Sequence, residues 1–239
     1  MKDNRLGGIA LIIGAVSGMI TMSLHPVGGA HVMNPQQFER LLSLVIGVHV
    51  LAIAGIPFLF LGALALSREL NSPARLSLLA LASYSMGLVA IVVAPAVSGL
   101  VGAELLRKIA APGPEADSWR MLMSYNHMIN QAFTRIYVVA SAAAIALWSL
   151  EMAWRGSLSR IVGILGLILA AVGVAITAAG FHMDAHVFAI VVFAGSIWLI
   201  VVAILLMRAP VKLRGPGVSS RDTYGLQDAA IDSAENLPH

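Results

Sequence analysis

Neutral imidazoles bind zinc, copper and nickel, and a carboxylate can complete such a set. The run His182-Met183-Asp184-Ala185-His186 places three ligands of that kind within five residues. With His49 and His127 they form the candidate metal set His49, His127, His182, Asp184 and His186, for zinc or copper. Met19, Met22, Met33, Met121, Met123, Met128 and Met183 are expected on the same side, and thioethers favour copper(I). Haem needs two facing imidazoles on different helices. His49 and His127 are the one pair that suits, and His127 lies near the interface, so haem ranks below a simple metal ion. The chain has no cysteine and no His-Glu-x-x-His motif, which removes thiolate chemistry and the common zinc-protease pattern. The plainer alternative is that these histidines only make hydrogen bonds between helices.

A second group carries the other candidate chemistry. Asn126, His127, Asn130, Gln131, Thr134 and Arg135 recur three and four residues apart, which puts most of them on one helical face. Polar groups entering a membrane face the bundle or a wet cavity. A substrate cleft of His25, Asn126, Asn130, Gln131 and Arg135 is therefore expected, shared with His49. Arg135 either meets an anionic solute there or snorkels to the interface. Pro57 and Pro95 mark bends that a small-solute permease would use. Ser17 and Ser98 sit beside glycines, but no Gly-x-Ser-x-Gly elbow exists, so a serine hydrolase is set aside.

The elements that must position these residues follow from composition. Hydrophobic residues make up 59% of the chain and charged ones 11%, with a mean hydropathy of +0.87. A soluble domain carries about 25% charged residues, so lipid must be the main solvent. At roughly 20 residues per crossing, the apolar runs give an all-α, polytopic membrane protein with a bundle of six transmembrane helices. The spans are expected at about 6–24, 41–66, 76–101, 129–154, 161–180 and 187–207, forming one domain over 1–207. Residues 103–111 suit a short surface helix, and a helix capped by Asp117 or Ser118 and running to Trp154 would be about 55 Å long. The tail, 208–239, has balanced charge and no apolar period and is expected to be disordered.

The first span resembles a signal peptide in outline, with Gly28-Gly29-Ala30 as a cleavage site. Its apolar run exceeds the ~7–15 residues of such a segment, and Gly14-x-x-x-Gly18 suits helix packing, so a retained span is expected. Ten basic residues fall on the side of the termini and four on the other. The positive-inside rule then places both termini in the cytoplasm and the membrane-domain histidines outside, in a cell inner membrane of bacterial type. The net charge of +3 sits at span ends, and no basic stretch with interleaved aromatics is present, so nucleic acid is not a partner. The expected partner is the lipid bilayer, with room for a homo-oligomer or a membrane complex. The expected functions are a metal-binding protein or metal-dependent membrane enzyme, a small-solute permease, or a non-catalytic accessory subunit.

Overall fold

Lipid offers no hydrogen-bond partner to a peptide group, so a chain of this composition has to satisfy its backbone within helices. The computed structural model describes residues 2–26, 34–70, 75–111, 113–155 and 158–209. Among them there is no strand. The elements are α1 (Lys2–Leu24), α2 (Pro35–Leu70), α3 (Leu76–Pro95), a π-helical segment (Ala96–Val101), α4 (Gly102–Ala110), α5 (Ala116–Arg155), α6 (Arg160–Ala178) and α7 (Ala185–Arg208). Among the described residues six helices are long and apolar enough to cross a membrane, with α3, the π segment and α4 counting as one continuous rod.

Most of the helices overrun the apolar runs that announce them. α2 begins at Pro35 rather than near 41, and α5 begins at Ala116, within two residues of the expected cap at Asp117 or Ser118 and well before the apolar span near 129. Backbone hydrogen bonding does not stop where lipid contact stops, so hydropathy marks the buried part and not the helix. With 40 residues, α5 is about 60 Å long, twice the ~30 Å of a bilayer core. The exception is α6, which ends at Ala178. Gly180 adopts φ 73°, and its N–H returns to the Thr177 carbonyl at 3.1 Å, closing the helix. Of the expected tail, 208–239, Arg208 is the last residue of α7, and residues 210–239 lie outside the described residues, as do His31 and Met33.

The two prolines behave differently. α2 continues through Pro57, whereas Pro95 ends the α-helical part of α3 and a π turn follows. Proline cannot donate to the carbonyl one turn back, and a wider turn is one way for a helix to absorb that loss.

Small residues bring the helices together. Along the antiparallel pair α1–α2, Gly7 lies on Ala65, Gly62 on Leu11, Gly14 on Leu59 and Gly55 on Ser17. Without a hydrophobic drive between helices in lipid, such close packing supplies the association. α1 also packs on α7, α3 on α5, and α5 on α6. At the end where α1 begins and α7 finishes, hereafter the terminal end, Asn4 donates to Glu69 at 2.9 Å. The core there is built round Trp148, which is fully buried and meets Tyr84 edge to face at 5.3 Å. Its Nε1–H donates to Ser67 Oγ at 3.0 Å, tying α5 to α2. Glu151, also buried, is paired with Arg155 at 3.4 Å.

The Ser67 contact makes a testable point. Ser67→Ala leaves the buried indole N–H without its acceptor, at a cost of about 1–3 kcal/mol. Unfolding in mixed micelles should show that loss, while Ser23→Ala, at an exposed position, leaves stability unchanged.

Candidate functional site

The opposite end of the bundle, the histidine end, is framed by α4. Arg107 on α4 pairs with Glu39 on α2 at 3.2 Å and with Glu104 at 3.8 Å, and α4 also packs along α5. Inside this frame lies a cavity of about 360 Å³. Its walls come from α1, α2, α3 with the π segment, α5, α7 and the hairpin before α7.

His49 is the best-placed polar group in it. The residue is 5% exposed, and its Nδ1–H donates to the Val45 carbonyl at 2.6 Å. That bond assigns the proton to Nδ1 and leaves Nε2 as an acceptor. The ring lies directly on Gly99 of the π segment, where any side chain would overlap it. His25, just beyond α1, meets His49 edge to face at 5.2 Å. One helical turn deeper, the Thr21 hydroxyl donates to the Val48 carbonyl at 3.2 Å, which holds α1 in register with α2.

α5 supplies the facing wall. His127, Asn130, Gln131 and Thr134 all line the cavity, as their three- and four-residue spacing requires. Gln131 clasps the α6–α7 hairpin with both ends of its amide. Its Nε2 donates to the Met183 carbonyl at 2.8 Å, and its Oε1 accepts from the Met183 N–H at 3.2 Å. His127 stacks on His182 with centroids 5.6 Å apart and rings inclined by 15°. Exposed His127 and Asp184 mark the mouth.

The remaining sequence candidates have other places. Asn126 is buried beside the π segment, donating from Nδ2 to the Val97 carbonyl at 3.1 Å, and does not line the cavity. Arg135 and His186 are exposed and do not line it either. Asp184 caps α7: its Oδ1 accepts from the N–H groups of His186 and Val187, each at 2.9 Å. The Val187 N–H above all holds its carboxyl below the usual range, assisted by the His186 N–H and the flanking imidazoles. Among the described residues, no group of three or more histidine, aspartate or glutamate side chains is arranged to hold a metal ion. The candidates instead form two pairs, His25–His49 and His127–His182.

Thr21, Ser98, Tyr137 and Phe188 also line the cavity and were not among the expected cleft residues, Ser98 having been weighed only as a hydrolase serine. Tyr137 follows Thr134 by three residues, so the same periodicity that found Thr134 points to it. Nothing local in the sequence distinguishes the other three.

No known protein family matches the chain, and neither a curated protein nor a solved structure matches it.

The contact between His49 and Gly99 predicts a specific failure. Gly99→Ala drives a methyl into the imidazole and should cost about 1–3 kcal/mol, the usual range for overpacking. Unfolding measurements should show this loss, and the paired change Gly99→Ala/His49→Ala should recover most of it.

Proposed function

We propose that this protein is a small-solute carrier whose chamber at the histidine end binds a neutral, largely apolar molecule through a few hydrogen bonds. The observation that carries the reading is the cavity itself. At about 360 Å³ it falls within the ~300–1,000 Å³ of small-molecule sites, which are apolar with a few placed polar groups. Its polar groups come from several helices and converge on one space: the free Nε2 of His49, the His25 ring, and Asn130, Gln131 and Thr134 on α5. Among the described residues no lysine or arginine lines it, and the one carboxylate there, Asp184, is at the mouth. That distribution disfavours an anion and leaves hydrogen bonding as the means of recognition. By the asymmetry of basic residues the mouth faces outward, across a cell inner membrane.

The first test is ligand-dependent stability. A ligand that binds the folded state raises the melting temperature increasingly as its concentration exceeds its Kd. Purified protein should be stabilised by some member of a panel of neutral alcohols and ketones of about four to eight heavy atoms, a size suited to the chamber. Thr134→Leu, which fills the chamber, should abolish that shift, and flux of the same compound into proteoliposomes should fall with it. A panel without any stabilising member sinks the proposal.

A second reading is favoured by one arrangement. His25 and His49 present two imidazoles to the chamber, and Met22 and Met183 also line it. Two imidazoles with a thioether suit copper(I) better than zinc, which takes four ligands in structural sites. Copper retained by purified protein, and lost in His25→Ala/His49→Ala, would select this reading over the carrier.

A further inference from the structure

The chamber is not the end of the open space in the bundle. A second cavity of about 120 Å³ lies deeper, lined by residues of α1, α2, α3, α5, α6 and α7. Gly14, Gly18, Leu59, Tyr137 and Val192 belong to the walls of both. The two spaces are thus neighbours separated by side chains rather than by a helix. Leu59 is seated on Gly14 at this boundary, and Tyr137 is held there by an edge-to-face contact with Phe188 at 6.0 Å. Along α5 the first cavity begins at His127 and the second reaches Ile145. That separation corresponds to about 27 Å of helix.

The two spaces differ in character. The first has imidazoles and amides around it as well as the hydroxyls of Thr21, Ser98, Thr134 and Tyr137. The second is walled by aliphatic side chains such as Val138, Ile145, Leu169 and Leu199, with the hydroxyls of Tyr84, Tyr137, Ser141 and Ser196 as its polar points. A long, narrow space that is polar at one end and apolar at the other matches a single-chain amphipath. Among the described residues neither cavity is lined by lysine or arginine, which argues against a carboxylate or phosphate head.

We propose that the solute is a single-chain amphipath with an uncharged head, an alcohol or a ketone. The head is held by His49 and its neighbours, and the chain passes Leu59 and Tyr137 into the second cavity. This rests on the chamber being a binding site for a neutral solute. It adds where the rest of the molecule lies, and that Leu59 and Gly18 set the width of the passage. A methyl at Gly18 would make only ordinary contact with Val192, 3.5 Å from its Cγ1. Gly18→Ala is therefore tolerated, whereas Gly18→Leu must extend into the shared space.

The test is a binding series of straight-chain alcohols from butanol to hexadecanol on full-length protein in one detergent, with wild type, Gly18→Ala and Gly18→Leu compared. Chain burial raises affinity about fourfold per methylene, from ~0.8 kcal/mol each. Dividing variant by wild-type affinity removes partition into the micelle. Gly18→Ala should follow wild type throughout. Gly18→Leu should lose least for butanol and fall progressively further behind wild type as the chain lengthens. Leu59→Ala is the independent check: it widens the passage and should raise affinity for an alcohol branched at mid-chain. A Gly18→Leu series parallel to wild type, or no gain for the branched alcohol in Leu59→Ala, overturns the passage. Failure of wild type to bind any member of the series overturns the chamber reading itself.

Discussion

A bilayer core cannot hydrate a polar group, and every arrangement in this bundle is shaped by that. Helices satisfy the backbone, and polar side chains within the spans must then find partners inside the protein. Ser17, Ser85 and Thr177 do so on their own helices, each donating to a carbonyl four residues earlier. Others bond across helices, as Thr21, Trp148 and Trp198 do. Buried groups left without such a partner occur along the bundle, among them the hydroxyls of Tyr84, Ser141 and Ser149 and, at the histidine end, His25 Nδ1, which borders a cavity. The chamber is the place where the helices leave space around polar groups.

The π segment links this constraint to the geometry of the site. Pro95 removes one donor, the helix widens over Ala96–Val101, and a carbonyl at Val97 is taken up by Asn126 of α5. The same widened stretch presents Gly99, the one residue type without a Cβ, to the ring of His49. The imidazole therefore has a fixed seat and a fixed proton, and its free nitrogen is available to the chamber. π-helical turns often accompany functional sites, and here the reason is concrete. The irregular backbone makes the room in which the histidine sits. On the far wall, the Gln131 clasp holds the α6–α7 hairpin at the mouth, so the chamber is bounded by two contacts that depend on single side chains.

Much of this was legible in the sequence because lipid imposes a simple code. Apolar runs gave all six membrane-crossing helices, and three-and-four spacing on α5 gave His127, Asn130, Gln131 and Thr134 as one wall. The same spacing admitted Asn126, which the structure turns towards the π segment instead, because periodicity fixes a face only to within a turn. Asp184 between two histidines reads equally well as a ligand or as a cap, and only the start of α7 at Ala185 separates the two. The pairing of His25 with His49 was out of reach, since it depends on how α1 and α2 are aligned. That alignment is set by glycine contacts spread along both helices, a property of the pair and not of either segment.

A solvent-reachable chamber at the histidine end differs from a polar seam between helices in the access that a reagent has to its walls. The chain has no cysteine, so single cysteines can be placed without background. Ala52 and Thr134 line the chamber, while Ile136 is exposed on the outside of the bundle. The measurement is the labelling rate of Ala52→Cys, Thr134→Cys and Ile136→Cys in membranes by a small, water-soluble, membrane-impermeant thiol reagent. Rapid labelling is expected at positions 52 and 134, slowed by a bound neutral alcohol, and none at 136 on the apolar outside of the bundle. Unreactive cysteines at both positions would contradict a solvent-reachable chamber.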